Sequence, residues 1–405
     1  MVGEVRKTSA RKRKPKVQIK RAFKYELDMN NEQRTACLKH AGAARWAFNF
    51  GLRRKKEAYA AGEKTPTAVD LHRELNALKA TEIPWMYDVS KCAGQEALRN
   101  LDRAFVNFFE KRSRFPRFKS RKRGIGSFRL TGSIRVSGKT IQLPRLGAIR
   151  LKEESSVTGR ILSATVSERA GRWFVSVQVE TPIAVPDNQG PAVGVDLGIA
   201  SLATLSDGRV FENPKNYRRN LDQLRRAQRV VARRQQGSKR REHAKRRVSK
   251  LHYRIACQRS DTIHKMTTFI VMTYGVVGIE DLNVRGMVKN HCLAGAVSDA
   301  AFAEIRRQLT YKCQWYGGDL VVHDRFFPSS KTCSACGEVK DSLSLSDRTF
   351  RCGCGHEQDR DMNAAINLCP AVRRVLRMDG KALVAEQSAA KPARLKCEPN
   401  TVKNG

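Results

Sequence analysis

Cys333 and Cys336 form a C-x2-C pair, and fifteen residues later Cys352 and Cys354 form a C-x-C pair. Five positions beyond Cys354 the chain reads Asp359-Arg360-Asp361-Met362-Asn363-Ala364-Ala365. Four thiolates so spaced suit a tetrahedral Zn²⁺ site, because this ion accepts sulfur without a directional preference of its own. Gly337 and Gly355 follow the two pairs; glycine there lets backbone N–H groups turn toward the sulfurs. The second pair is one residue tighter than C-x2-C, so His356 is an alternative fourth ligand. The other readings of the cysteines are a disulfide pair or unliganded core residues.

The run after the cysteines is a helix opening on an acid. Asp359 takes the N-cap, where a carboxylate accepts from the first-turn N–H groups. Asp361 then lies in the first turn and is free to face a metal, whereas positions two apart point to opposite sides. A solvated first-turn carboxylate is the plain alternative. Two upstream acids bear on that choice. Asp196 sits inside the apolar run AVGVDLGIA, and Glu280 ends the run VVGIE. A carboxylate in such a setting costs several kcal/mol unless it is paired or bound to a metal. Gly194 and Gly198 flank Asp196 and allow close backbone approach. Asp281, next to Glu280, faces the other way on a strand.

Charge narrows the partner. Lys and Arg total 78 against 39 Asp and Glu, a net charge of +39 in 405 residues. That excess points to a polyanion. No run of about 18 apolar residues is present, which argues against a membrane span. The basic start of the chain lacks the apolar stretch of a secretory signal. Eleven cysteines, four of them clustered, fit a reducing compartment with a metal site.

In chain order, residues 1–16 read as a basic arm and 17–27 as a strand. Asn31 is the expected cap of a helix from Glu32, with Trp46, Phe48 and Phe50 in the core. Further helices follow Thr67 and Ser90, so 31–110 reads as a helical bundle. KRSRFPRFKSRKR, 111–123, holds eight cationic residues interrupted by Phe115, Pro116 and Phe118. Pro116 blocks a helix, so the segment is an extended strap in which Arg114, Arg117, Lys119 and Arg121 contact phosphates. Short alternating strands fill 127–180, with a hairpin turn at Ala170-Gly171, and form a β-barrel or an open sheet. Residues 182–191 read as a linker. A basic helical hairpin follows, with sixteen Lys and Arg between 215 and 254 and a second arm from Val248. A helix over 298–316 and a strand over 319–327 lead into the cysteines, with His323 a core or edge residue. A basic, Ala-rich tail closes the chain.

GVDLGIASLATLSDG around Asp196, GIEDLNVRGM around Glu280, and PSSKTCSACG followed by CGCGHEQDRDMNAAINL together resemble the TnpB (OrfB) proteins of bacterial insertion sequences. The likeness covers about residues 17–370. It implies an α+β multidomain chain: a wedge β-barrel (17–30 and 120–182) with an inserted helical recognition lobe (31–119), and an RNase H-like RuvC nuclease domain (192–327 and 358–370) with an inserted zinc ribbon (328–357). Residues 1–16 and 371–405 fall outside it. The resemblance further implies a monomeric, cytoplasmic bacterial enzyme that carries a guide RNA from the element's end. Such an enzyme would cut guide-matched double-stranded DNA beside a short flanking motif. Asp196, Glu280 and Asp361 would hold two Mg²⁺ ions, and Cys333, Cys336, Cys352 and Cys354 one structural Zn²⁺. A compact type V CRISPR effector and a guided DNA-binding regulator without cleavage are the competing readings. DDE transposases order their acids Asp, Asp, Glu, whereas these run Asp, Glu, Asp.

Overall fold

The computed structural model describes residues 16–344 and 346–370. The basic arm and the tail after Pro370 lie outside them. The chain divides into two units, one of Met1–Asp187, Lys215–Lys265 and Trp315–Gly317, the other of the remaining residues.

In the first unit, β1 (Lys16–Asp28) leads into α1 (Asn31–Ala60), α2 (Ala68–Thr81) and α3 (Lys91–Phe109). The cap of α1 is Asn30, one residue earlier than expected. Gln33 N–H donates to Asn30 Oδ1 at 2.8 Å and Asn30 N–H to Gln33 Oε1 at 3.2 Å, a reciprocal box that only Asn30 can close. The helices expected after Thr67 and from Ser90 are present, and Thr67 and Ser90 cap them. Phe48 and Phe50 are buried, and Trp46 stacks on Phe50.

Six more strands follow: β2 (Ser127–Leu130), β3 (Arg135–Ser137), β4 (Thr140–Leu143), β5 (Gly147–Leu151), β6 (Arg160–Arg169) and β7 (Arg172–Ala184). Ala170 and Gly171 both have positive φ, 56° and 81°, as a tight hairpin turn between twisted strands requires. The strand order is β2-β6-β7-β1-β5-β4-β3. No pairing joins β2 to β3 among the described residues, so the ladder is open and the closed barrel is not formed by hydrogen bonds. Instead β1 serves two sheets: Lys16–Glu26 pair with β7, and Leu27–Asp28 with β5. One core joins both sheets to the helices, with Leu52, Leu71, Leu98, Leu130, Ile149 and Val175 all at or below 1 % exposure.

The segment read as a linker is in part strand. β7 runs through Pro182, opposite Gln18. Its pairing with β6 ends at Glu180, so the proline sits where β7 has one neighbour only, a place that tolerates a missing N–H. The basic hairpin is present as α4 (Asn216–Arg219), α5 (Leu221–Ala232) and α6 (Lys239–Thr273). Its second arm starts at Lys239 rather than Val248, and Leu224, Ala227 and Leu251 form the seam.

The second unit holds a five-stranded sheet of β8 (Ala192–Asp196), β9 (Ser201–Leu205), β10 (Val210–Glu212), β11 (Val276–Glu280) and β12 (Asp319–His323). Its order is β10-β9-β8-β11-β12. β11 runs parallel to β8 and β12, while β9 is antiparallel to β8 and β10. α7 (Val284–Met287), α8 (Ala294–Ala300) and α9 (Phe302–Tyr316) precede β12. The single expected helix over 298–316 is broken at Ala301, whose φ of 54° is left-handed. β12 stops at His323, where Phe326 N–H donates to Asp324 Oδ1 and turns the chain. β13 (Thr349–Arg351) and β14 (Glu357–Asp359) pair beside the cysteines, and α10 (Arg360–Leu368) closes the unit. No helix among the described residues is long and apolar enough to cross a membrane.

Candidate active site

Asp196 and Glu280 end neighbouring parallel strands. Val195 is opposite Ile279 and Gly194 opposite Gly278. Alternation places Asp196 on the face of Gly194, and Glu280 on the face of Gly278. α10 lies across that face. A Cβ on Gly194 would come within 1.9 Å of the Ala365 carbonyl oxygen, and one on Gly278 within 2.0 Å of the Leu368 oxygen. Only a glycine pair lets the helix backbone rest on the strands. Asp361, Ala365 and Leu368 are spaced four and three apart, so they share one helix face. Seating Ala365 and Leu368 on the glycines therefore brings Asp361 toward the two strand ends.

Hydrogen bonds lock that seat. Asn363 Nδ2 donates to Thr332 O at 2.7 Å, and Asn363 Oδ1 accepts from Ser334 N–H at 2.9 Å. Asn367 Nδ2 donates to Ser329 O and Thr332 O at 2.9 and 2.7 Å. His323, buried on β12, makes a 2.8 Å bond from Nε2 to Leu368 O. Asp359 caps the helix, accepting from Met362 N–H at 3.0 Å. The sequence reading missed the two asparagines; their signal was buried-face spacing, four apart, beside two alanines.

The acids feel one another. Burial and then the charges of Asp361 and Glu280 push the Asp196 carboxyl up to about 7, against the opposing pull of Arg360. Burial and the adjacent Asp281 raise Glu280. Asp281 is different. Burial would raise it, yet hydrogen bonds from Arg325 and Arg306 hold it below the usual carboxylate range. Arg325 Nη2 lies 2.7 Å from Asp281 Oδ2, and Arg306 binds Oδ1. These two arginines, Arg285 and Arg307 line a cavity of about 480 Å³ whose wall includes Glu280. The sequence reading did not anticipate this cationic cavity, since its arginines come from distant segments.

The carboxylates of Asp196, Glu280 and Asp361 make no ion pair or hydrogen bond with a described residue. Three half-buried carboxylates whose mutual repulsion raises a proton affinity are a hard oxygen donor set, and they fit a divalent cation such as Mg²⁺.

The four cysteines converge. Their sulfurs all lie within 4.8 Å of one another, closer than any trio of carboxylates among the described residues. Cys333 and Cys354 sulfurs are 3.8 Å apart, and those of Cys336 and Cys352 3.6 Å. Sulfurs about 2.3 Å from a central Zn²⁺ at tetrahedral corners stand ~3.8 Å apart. All four thiols are free. The cluster could therefore hold a zinc ion. His356 is directed elsewhere, with Nε2 3.2 Å from both Ser334 Oγ and Gln358 Oε1, so Cys354 completes the set.

In the first unit the cationic strap is tied down at its aromatics. Phe115 packs edge-on against Phe105 and Phe108. Lys119 exchanges two backbone hydrogen bonds with the Asn49 side chain and lays its ammonium 3.9 Å from the Phe48 ring centre. Arg114, Arg117 and Arg121 are exposed.

Residues 174–291 match the OrfB family model described as "Probable transposase". Residues 302–368 match "Cas12f1-like, TNB domain" and 19–64 the OrfB "Helix-turn-helix domain". The chain is 42% identical over 364 residues to a Streptomyces pristinaespiralis protein named "Putative RNA-guided DNA endonuclease", covering 87% of this chain and 90% of that one. It is 35% identical over 377 residues to "Putative RNA-guided DNA endonuclease InsQ" of Escherichia coli, covering 88% and 93%. Its fold resembles that of the protein in a Cas12f1-sgRNA-target DNA complex, with a TM-score of 0.55 at 12% identity, over 87% of this chain and 98% of that one. Identity of this extent, over nearly the whole of both chains, shows that the chain belongs to the TnpB (OrfB) family of insertion-sequence proteins.

Proposed function

We propose that this chain is an RNA-guided DNA endonuclease that cuts guide-matched double-stranded DNA beside a short flanking motif. The observation that carries the reading is the seat of α10 on Gly194 and Gly278, which gathers Asp196, Glu280 and Asp361 at one end of the sheet. The strand order, with the third strand at one edge and the fifth at the other, supports an RNase H-like RuvC nuclease domain. The first unit corresponds to a wedge sheet with an inserted helical recognition lobe, and residues 328–357 to a structural zinc ribbon held by Cys333, Cys336, Cys352 and Cys354.

Asp196 and Glu280 present oxygens from the rigid strand ends, and Asp361 presents a third from the helix. Two Mg²⁺ ions held there would supply water activation and leaving-oxygen stabilisation in phosphodiester hydrolysis. Arg306 and Arg325 outnumber the single charge of Asp281, which leaves the cavity beside Glu280 cationic and suited to DNA phosphates. Arg114, Arg117, Lys119 and Arg121 on the strap, with the basic hairpin of α5 and α6, would hold nucleic-acid backbone. Specificity would come from base pairing with the guide, and the working particle would be one chain with one RNA.

The test is to purify the full chain with its co-expressed element, sequence the RNA that accompanies it, and assay duplex DNA matching that RNA. Mg²⁺-dependent cutting of the matched duplex alone is the expected result. Purification free of RNA, or cutting indifferent to the RNA's sequence, contradicts the proposal.

A further inference from the structure

Between α1 and the single turn at Pro84–Asp88 lies an open cavity of about 450 Å³, lined by Lys39, Arg45, Trp46, Asn49, Trp85 and Asp88. It belongs to neither the carboxylate site nor the cysteine cluster. Its two walls are indoles at right angles: the Trp46 and Trp85 rings meet at 86° with centres 6.2 Å apart. Trp46 is backed by Phe50, stacked at 5.3 Å and 8°, so its plane is fixed. Trp85 is 44% exposed. A large indole exposed to this extent beside a formed cavity offers aromatic surface on which a base can stack.

The rim is cationic and joined to the strap. Lys39 pairs with Asp88 at 3.2 Å. Arg45 donates from Nη1 to Ile125 O, and Asn49 grips the Lys119 backbone. Lys39 and Arg45 also line the adjoining cavity that contains Arg121. A strand whose phosphates follow Arg121, Arg45 and Lys39 therefore passes the mouth of the indole corner. Aromatic faces beside a cationic track are how proteins hold unpaired bases. Duplex DNA keeps its bases paired and stacked, whereas folded RNA splays bases from loops and bulges onto aromatic side chains.

We propose that the exposed Trp85 ring stacks one unpaired base of the bound RNA while the perpendicular Trp46 ring meets that base at its edge, with Lys39, Arg45 and Arg121 holding the flanking phosphates. The inference rests on the proposed function only in requiring that the chain carries RNA.

The experiment uses the full chain with its co-purified RNA, irradiated at short ultraviolet wavelength and digested with trypsin. RNA crosslinks are expected on the peptides that begin at Trp46 and at Ala80, which contain the two indoles. Trp85→Ala should weaken RNA binding about tenfold, with Trp85→Phe retaining most of the affinity because it keeps a stacking face. Three results overturn the inference: co-purified RNA that crosslinks to neither peptide, Trp85→Ala with parental affinity, or equal loss in both variants alongside equal loss of thermal stability. If the chain carries no RNA, the guided reading falls together with this one.

Discussion

Gly194 and Gly278 are register partners on adjacent parallel strands, and together they form the notch in which α10 rests. Neither residue has any chemistry of its own, yet their missing Cβ atoms set how far Asp361 stands from Asp196 and Glu280. Gly194→Ala would put a Cβ 1.9 Å from a helix carbonyl oxygen, which no rotamer change relieves. The helix must lift. Overpacking of this kind costs about 1–3 kcal/mol, and a shift of roughly 1 Å in a catalytic group lowers rate by about a hundredfold. Thermal melting and single-turnover cleavage should fall together in this variant.

The cysteine cluster holds α10 from the other side, through Asn363 and Asn367. About one Zn²⁺ per chain is therefore expected, and its loss should disturb the carboxylate site at a distance. Cys352→Ser should lose the metal by elemental analysis and lower the melting temperature, whereas Cys292→Ser, at an exposed thiol outside the cluster, should do neither. Active protein without zinc contradicts this.

Asp196 gives a pH signature in protein stripped of divalent cations. Its carboxyl is raised from 3.8 to about 7 by burial and by Asp361 and Glu280. The folded state thus binds its proton more tightly than the unfolded state. Stability from that proton is complete below about 4 and is lost as pH rises through about 7. Asp196→Asn removes the titrating charge. It should raise the melting temperature at pH 8 without divalent cations and make little difference near pH 4. Mg²⁺ should stabilise the parent at pH 8 more than the variant. A variant no more stable than the parent at pH 8 would show that the acids do not repel one another.

The candidate site stands out in the sequence because single residues break a pattern. Asp196 stands in an apolar run, Glu280 ends another, and four cysteines keep metal spacing. The Asp359 cap and the helix starts at Thr67 and Ser90 could be read directly, since such signals are local. What escaped depends on long-range pairing. The bond that makes Asn30 rather than Asn31 the cap is a choice between neighbours that spacing does not resolve. Pro182 looked like a breaker because its neighbouring strands were unknown, and only the ladder shows that β7 has an open side there. Arg306 and Arg325 come from different elements and converge on Asp281 only in the fold. The sequence likewise does not show that the ladder from β2 to β3 stays open, since closure depends on how β1 divides its two edges.

The most direct measurement separates cutting from binding in the guided complex. Parent, Asp196→Ala and Asp359→Ala chains, each loaded with the same guide RNA, would be assayed with Mg²⁺ for binding and for cleavage of a matched DNA duplex. Asp359→Ala removes the α10 cap, a loss of about 1 kcal/mol in stability, and should keep most of its activity. Asp196→Ala would remove a proposed metal oxygen and no proposed phosphate contact, so it should bind the duplex as tightly as the parent. Its cleavage should fall by orders of magnitude, because metal activation of water supplies much of the rate. Asp196→Ala cutting at the parental rate would contradict the account.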